Sequence, residues 1–365
     1  MRRRAFIGSA AAGGAAAASA FPAPAIAQER FEWRMVTTWP KNFPVLGTSA
    51  ERFARRVTES SGGRLTITVY GAGELVPAFE CFDAVQTGAA ELMHASPYYW
   101  QGKSKAVNFF TTVPYGMTTA EITAWMKYGG GQELWDELYG GFGLKGFHAG
   151  STGVQMGGWY NKEIKSLADI RGLKMRMPAL GGEVLRRLGA TVVNMPAGEI
   201  FPALQSGAID ATDWVGPYND LALGIYKVAK YYYWPGVLEP GSEVEITVSR
   251  EQFDALPADL KAIFELATQA EETLFFAEFN ARNGEAIHTL VNEHNVQLRK
   301  YPDDVLEGLG QASGEVVAEM RDGGDEMTRK IADSFLEWRE RLMGWTAISE
   351  YGFLQARALP FNYPS

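Results

Sequence analysis

Hydrophobic and polar positions alternate along several short segments of this chain. Leu65, Ile67 and Val69 lie on one face of a predicted strand, Leu65–Tyr70. Phe31–Val36 reads as a strand and Thr48–Glu59 as a helix. A helix near Pro77–Thr87 and a strand at Ala90–Ala95 follow. Further strands are predicted near Leu144–His148 and at Val154–Trp159, Lys174–Met177, Thr191–Asn194 and Ala208–Thr212. Helices at Gly182–Leu188 and Glu199–Ser206 fall between them. Glu243–Val248 reads as the last strand, after which the pattern turns helical over roughly 258–296, 302–321 and 324–344. Such alternation implies the α/β class, with mainly parallel sheets covered by helices.

One segment occurs twice. Phe82-Asp-Ala-Val-Gln-Thr-Gly-Ala-Ala-Glu-Leu92 aligns with Phe201-Pro-Ala-Leu-Gln-Ser-Gly-Ala-Ile-Asp-Ala211. Each reads as a helix end, a glycine cap and a strand. A helix–glycine–strand turn is a common solution, but the length of the match favours two similar α/β lobes in one chain.

The N-terminal 27 residues read as an export signal rather than as fold. Arg2-Arg3-Arg4 is a basic start, residues 7–21 are apolar and rich in Ala and Gly, and Ala25-Ile-Ala27 is a small-x-small cleavage site. Arg3-Arg4-Ala-Phe-Ile resembles a twin-arginine signal; an ordinary Sec signal is the alternative. The run is short and alanine-rich for a membrane anchor. Removing it takes away three positive charges and no negative ones, so the formal charge goes from −9 to −12. A chain this acidic is a poor partner for nucleic acid or an anionic membrane. The expected location is the periplasm. About 340 residues remain, which favours two domains. Cys81 is the only cysteine, so an exported chain must rely on its core rather than on an internal disulfide. Ten Trp, fifteen Tyr and twenty Phe supply that core.

Candidate chemistry concentrates between Gly150 and Tyr218, where an amide (Gln155), a guanidinium (Arg176) and a carboxylate (Asp213) lie near the ends of short apolar segments. Leu173, Met175 and Met177 alternate with Lys174 and Arg176, which sets Arg176 on the face opposite the apolar residues. A planar fork donor there suits a ligand carboxylate. On one arginine alone, a structural ion pair is the stronger reading. Asp213 and Trp214 directly follow a predicted strand, and ligands in α/β sheets bind beyond the carboxyl ends of strands.

Several segments together resemble the substrate-binding proteins of tripartite ATP-independent periplasmic (TRAP) transporters, over nearly the whole chain after the signal. They are Trp39-Pro40, Gly71-Ala-Gly-Glu74, Gly153-Val-Gln155, Leu173-Lys-Met-Arg-Met177 and Gly207-Ala-Ile-Asp-Ala-Thr-Asp-Trp-Val-Gly-Pro217. Asp213-Trp-Val-Gly-Pro-Tyr218 and Tyr231-Tyr-Tyr-Trp-Pro-Gly236 resemble the branch that binds small 2-oxo or 2-hydroxy monocarboxylates together with a cation. The resemblance implies a two-lobed periplasmic-binding-protein fold with a hinge, plus long C-terminal helices. Lobe I would comprise 28–150 with about 240–290, and lobe II 151–239 with about 291–322. The segment 323–365 would form a C-terminal helical extension. The ligand carboxylate would pair with Arg176. The cation, sodium or calcium, would be held by the Gln155 side chain, the Asp213 carboxylate, the Trp214 carbonyl and the Glu239 carboxylate. Hard cations take such oxygen sets. Relatives carry Glu or Asp where Asp213 stands, which leaves the choice of cation open. Membrane permease subunits are the implied partners, and relatives form a dimer by swapping the long C-terminal helix, so a homodimer is expected.

Tyr98 and Tyr99 are expected to wall the site from the first lobe; Trp100, Asn42 and Phe43 have a similar status. Tyr231–Tyr233 reads as core or hinge. A metal-dependent exported enzyme acting on 2-oxo acids is the alternative function. The sequence gives it little support. The four histidines lack metal spacing, Gly129-Gly-Gly131 lacks a phosphate-loop lysine, and no G-x-S-x-G elbow is present.

Overall fold

The computed structural model describes residues 29–364; the export-signal expectation lies outside the described residues. The first part of the chain forms β1 (Phe31–Thr37), α1 (Leu46–Ser60), β2 (Leu65–Tyr70), α2 (Cys81–Gln86), β3 (Leu92–Ala95), α3 (Thr119–Tyr128), α4 (Gly131–Gly140) and β4 (Leu144–Ser151). Next come β5 (Gly158–Tyr160), β6 (Lys174–Arg176), α5 (Ala179–Arg187), β7 (Thr191–Val193), α6 (Ala197–Gln205), β8 (Ala211–Thr212), α7 (Pro217–Leu223) and β9 (Tyr231–Trp234). The chain ends with β10 (Glu243–Ser249), α8 (Arg250–Ala255), α9 (Ala258–Asn292), β11 (Gln297–Lys300), α10 (Asp303–Asp322), α11 (Glu326–Ile348) and α12 (Glu350–Arg357).

Two sheets result, with strand orders β2-β1-β3-β10-β4 and β11-β9-β5-β8-β6-β7. The chain crosses between them after β4, after β9 and after α9. Each sheet anchors one lobe. The repeated segment explains their likeness. Gly88 and Gly207 both sit at positive φ, 79° and 72°, where a side chain would be strained. The Ala90 N–H donates to the Ala84 carbonyl, and Ile209 donates to Ala203 in the same way. Glu91 then receives the Arg34 N–H of β1, as Asp210 receives the Lys174 N–H of β6. β3 therefore lies parallel to β1, and β8 parallel to β6, in matching registers.

Three expectations change. The strand predicted at Val154–Trp159 is only β5, because Val154 and Gln155 belong to the crossing segment and Val154 is exposed. Glu243–Val248 is not the last strand. β11 follows it and pairs in parallel with β9; of the two readings of Tyr231–Tyr233, the buried Tyr232 and Tyr233 bear out core over hinge. Neither sheet is wholly parallel: β10 runs antiparallel to β3 and β4, and β5 antiparallel to β8 and β9. These two strands enter their sheets straight from a crossing, without the helical return that a parallel neighbour needs.

Aromatic side chains fill both cores. In lobe I, Phe110 stacks between Trp125 and Trp135, with centroids at 5.5 and 5.2 Å. In lobe II, Trp159 stacks on Tyr232 at 3.9 Å across the β5–β9 pair. α11 lays Phe335 against Trp125 and Phe109 of lobe I, while α10 packs on α5. Among the described residues, no helix is long and apolar enough to cross a membrane.

Candidate functional site

β6 ends at Arg176, whose neighbour Met175 turns into the core while Arg176 turns the other way. The guanidinium is nevertheless only 1% exposed, because lobe I covers it. Arg176 Nη1 donates to the Asp213 carbonyl at 2.8 Å and Nε to the Met195 carbonyl at 3.3 Å. These two bonds aim the remaining edge of the fork into the cleft. The group lies 5.1 Å over the Trp214 ring, and Nη1 is 4.0 Å from Asp213 Oδ2.

Asp213 and Trp214 follow β8, where the parallel β6–β8 pair ends. Gln155 and Glu239 come from the two crossing segments, β4–β5 and β9–β10. These segments run side by side, with the Gln155 N–H on the Glu239 carbonyl at 3.2 Å. The Gln155 amide nitrogen donates to Thr152 Oγ at 3.1 Å, while its oxygen is buried without a partner. Four residues remote in sequence thus converge with their polar ends buried.

Lobe I supplies the facing wall. Tyr98 and Tyr99 follow β3 on a single 3-10 turn, with their rings perpendicular at 4.7 Å. Burial pushes the Tyr99 phenol up, and the nearby Arg176 guanidinium pulls it down; Tyr98 is raised by burial and then by the charge of Glu239. Both tyrosines are therefore within electrostatic reach of the far lobe. Trp39 and Phe43 meet Trp214 edge-on at 6.4 and 6.2 Å. Trp39 is itself fixed by donating Nε1 to His94 Nδ1 at 2.8 Å, and burial holds that imidazole neutral with its pKa lowered to about 3. Asn42 is exposed and stays out of the site, whereas Trp100 turns into the lobe I core.

The electrostatics of this cleft are unbalanced. Burial pushes the Glu239 carboxyl well above its usual range and the Asp213 charge adds to it, while Arg176 opposes both. Asp213 is raised by burial in the same way. Two carboxyls and one guanidinium are buried together, and polar atoms of all three have no partner. Asp213 Oδ2, Gln155 Oε1 and both Glu239 carboxylate oxygens are unpaired acceptors, while Arg176 Nη2 and Trp214 Nε1 are unpaired donors. Unpaired buried polar groups cost free energy and mark a place for a ligand. The acceptors are all oxygens, three of the four on carboxylates, which is the donor set of a hard cation and not of a soft metal. Among the described residues, no group of three or more His, Cys, Asp or Glu side chains gathers that could hold a metal ion by itself. A cavity of about 10 Å³ touches Asp213 and Glu239 and is walled by Met156, Met177, Val237 and Leu309.

Sequence reasoning missed Trp39 as wall, and it missed Asp220 behind the Asp213 loop. The Trp39-Pro40 pair and the carboxylate seven residues after Asp213 were visible, but their partners lie far away in sequence.

The profile of the bacterial extracellular solute-binding proteins, family 7 (DctP), matches residues 35–322. The monocarboxylate 2-oxoacid-binding periplasmic protein of Nostoc sp. (strain PCC 7120) is 41% identical over 323 residues, which is 88% of this chain and 87% of that protein. A TRAP periplasmic solute binding protein from Pseudoalteromonas atlantica T6c, solved with bound sodium and pyruvate, matches with a TM-score of 0.87 at 39% identity, covering 91% of this chain and all (100%) of that one. A TRAP transporter solute binding protein from Bordetella bronchiseptica RB50 matches with a TM-score of 0.87 at 36% identity and the same coverage, 91% and 100%. That protein was solved as a mixed-occupancy dimer, with copurified calcium and picolinate in one site and the other apo.

Proposed function

The chain belongs to family 7 of the bacterial extracellular solute-binding proteins, and from that premise we propose that its cleft binds a small 2-oxo monocarboxylate together with a sodium or calcium ion. It is a solute receptor of a TRAP transporter and not an enzyme. The observation that carries the ligand reading is the sorting of unpaired atoms: donors on Arg176 and Trp214, acceptors on Gln155, Asp213 and Glu239. An anion with a neighbouring cation satisfies both sets at once. Arg176 and the Trp214 indole hold the carboxylate, with Tyr98 and Tyr99 closing over it. Gln155, Asp213, Glu239 and the Trp214 carbonyl hold the cation. When bound, the cation offsets the two buried carboxylates and draws the ligand's keto oxygen into its shell.

The same reading extends to organisation. The lobes follow the two sheets, as 28–150 with about 240–290 and 151–239 with about 291–322, and Tyr98 and Tyr99 move away from Arg176 when the cleft opens. The protein works in the periplasm and passes its ligand to membrane permease subunits. The segment 323–365 supports a homodimer: Trp345, Ile348, Tyr351, Phe353 and Phe361 leave large apolar surfaces exposed.

Calorimetry on exhaustively chelated, desalted protein tests the site. Pyruvate is expected to bind tightly only when sodium or calcium is restored. Asp213→Asn is expected to weaken the acid and the cation together, because coupling between two ligands is reciprocal. Full affinity without any cation would refute the reading.

A further inference from the structure

Asp220 lies behind the site in α7 and is 1% exposed. Its carboxylate gathers four donors. Oδ1 accepts the Val215 and Gly216 N–H groups at 3.3 and 3.2 Å. Oδ2 accepts the Trp159 indole N–H at 2.8 Å and the Tyr232 hydroxyl at 2.6 Å. Three of these four are N–H groups that can only donate, so the arrangement is built for an ionised carboxylate. Burial pushes Asp220 up, but only to about 6, so it stays charged at neutral pH.

The four bonds do two things. They tie the loop that carries Asp213 and Trp214 to β5 and β9, fixing the aim of groups that do not touch Asp220. They also keep a third negative charge beside the cleft without giving it a cation of its own. That charge reaches Asp213, whose carboxyl is raised first by burial and, against the pull of Arg176, also by Asp220. A cation seated on Asp213 feels the same field with opposite sign, in proportion to its own charge.

We propose that Asp220 is a positioning carboxylate that sets the charge preference of the cation site, its fixed negative charge favouring a divalent ion over a monovalent one. The proposal rests on the cation-dependent reading above. The Arg176 charge works against it, so the balance between Arg176, Asp213, Glu239 and Asp220 decides between sodium and calcium, and Asp220 is the member that touches neither ligand.

The test is Asp220→Asn, which removes the charge and keeps an acceptor for Val215 and Gly216, while its amide NH2 faces the Trp159 N–H that Oδ2 accepted. Sodium or calcium is titrated into chelated full-length protein at saturating pyruvate, and the half-saturating concentration of each is read from the thermal shift. Because the Coulomb part doubles with ionic charge, a threefold loss for sodium should accompany about a tenfold loss for calcium. Tyr232→Phe removes one donor; read at about pH 8, where Asp220 stays ionised with one donor fewer, it should leave the calcium-to-sodium ratio within about twofold of the wild type. Equal losses for the two ions in Asp220→Asn, or no loss, would overturn the proposal and leave a purely structural clamp. Should Asp220→Asn not fold, the smaller uncharged Asp220→Ser is read in the same way: a larger loss for calcium than for sodium supports the proposal, and equal losses overturn it. A wild-type chain indifferent to both ions would overturn the underlying function as well, which is a different result from either variant outcome.

Discussion

Replacing Arg176 by lysine should cost most of the affinity for a 2-oxo acid and little of the fold. Alanine is the blunter change, because it would leave the Asp213 and Met195 carbonyls without their donors and two buried carboxyls without their cation. Lysine keeps the positive charge near Asp213 and Glu239 but replaces a planar fork with a point donor. In the native cleft, Nε and one Nη1 hydrogen are spent on backbone carbonyls, while Nη2 is unpaired. The ammonium can replace one bond to the ligand carboxylate, not a bidentate pair held in register. One charge-assisted hydrogen bond is worth about 1.5–3 kcal/mol, so affinity should fall by roughly tenfold to 150-fold. Calorimetric titration of pyruvate at saturating sodium reads the loss, and ligand-free thermal unfolding reads the fold. A Kd within threefold of the wild type would show that Arg176 does not hold the carboxylate. A large drop in ligand-free Tm with proportionate binding loss would make it a structural residue.

Two other outcomes are expected. Glu245 in β10 accepts from Trp100 Nε1 and Thr247 Oγ, both at 2.6 Å, and burial raises its carboxyl from 4.5 to about 7. A raised folded pKa means that its stabilisation is complete below the unfolded value and is lost as pH rises through the folded one. Wild-type stability should therefore fall between pH 4.5 and about 7 relative to Glu245→Gln, by up to about 3 kcal/mol. Urea unfolding at both ends of that window measures it, and parallel pH curves would refute it. Removing residues 350–365 deletes Tyr351, Phe353, Leu354, Leu359, Phe361 and Tyr363 from the surface. Sedimentation should then show a monomer where the longer chain is a dimer, and an unchanged mass would exclude this segment from the interface.

Much of the lobe architecture was legible locally. The alternation at Leu65–Tyr70 predicts β2 over its whole length, since period two needs only neighbours in sequence. The doubled helix–glycine–strand segment announced two similar lobes, because a glycine at positive φ after a helix end is a local requirement. Arg176 was rightly set against the apolar face of its strand for the same reason. β9 and β11 escaped notice because their pairing joins residues more than sixty positions apart, and neither carries a clean alternation.

What the chain determines by itself is the local geometry of each lobe and the position of each charged group at the end of a strand. The register that places Arg176 beside Thr212 places Val36 beside Met93 in the other lobe. One backbone solution thus carries a cation in one lobe and a packed valine in the other, and side-chain identity alone decides which. The site as a chemical object belongs to the tertiary structure. Only closure of lobe I over lobe II buries Arg176, and only the side-by-side crossing segments bring Glu239 and Gln155 to Asp213. Burial is what makes those groups a candidate ligand site: in water each would be satisfied singly, and in the closed cleft they must be satisfied together.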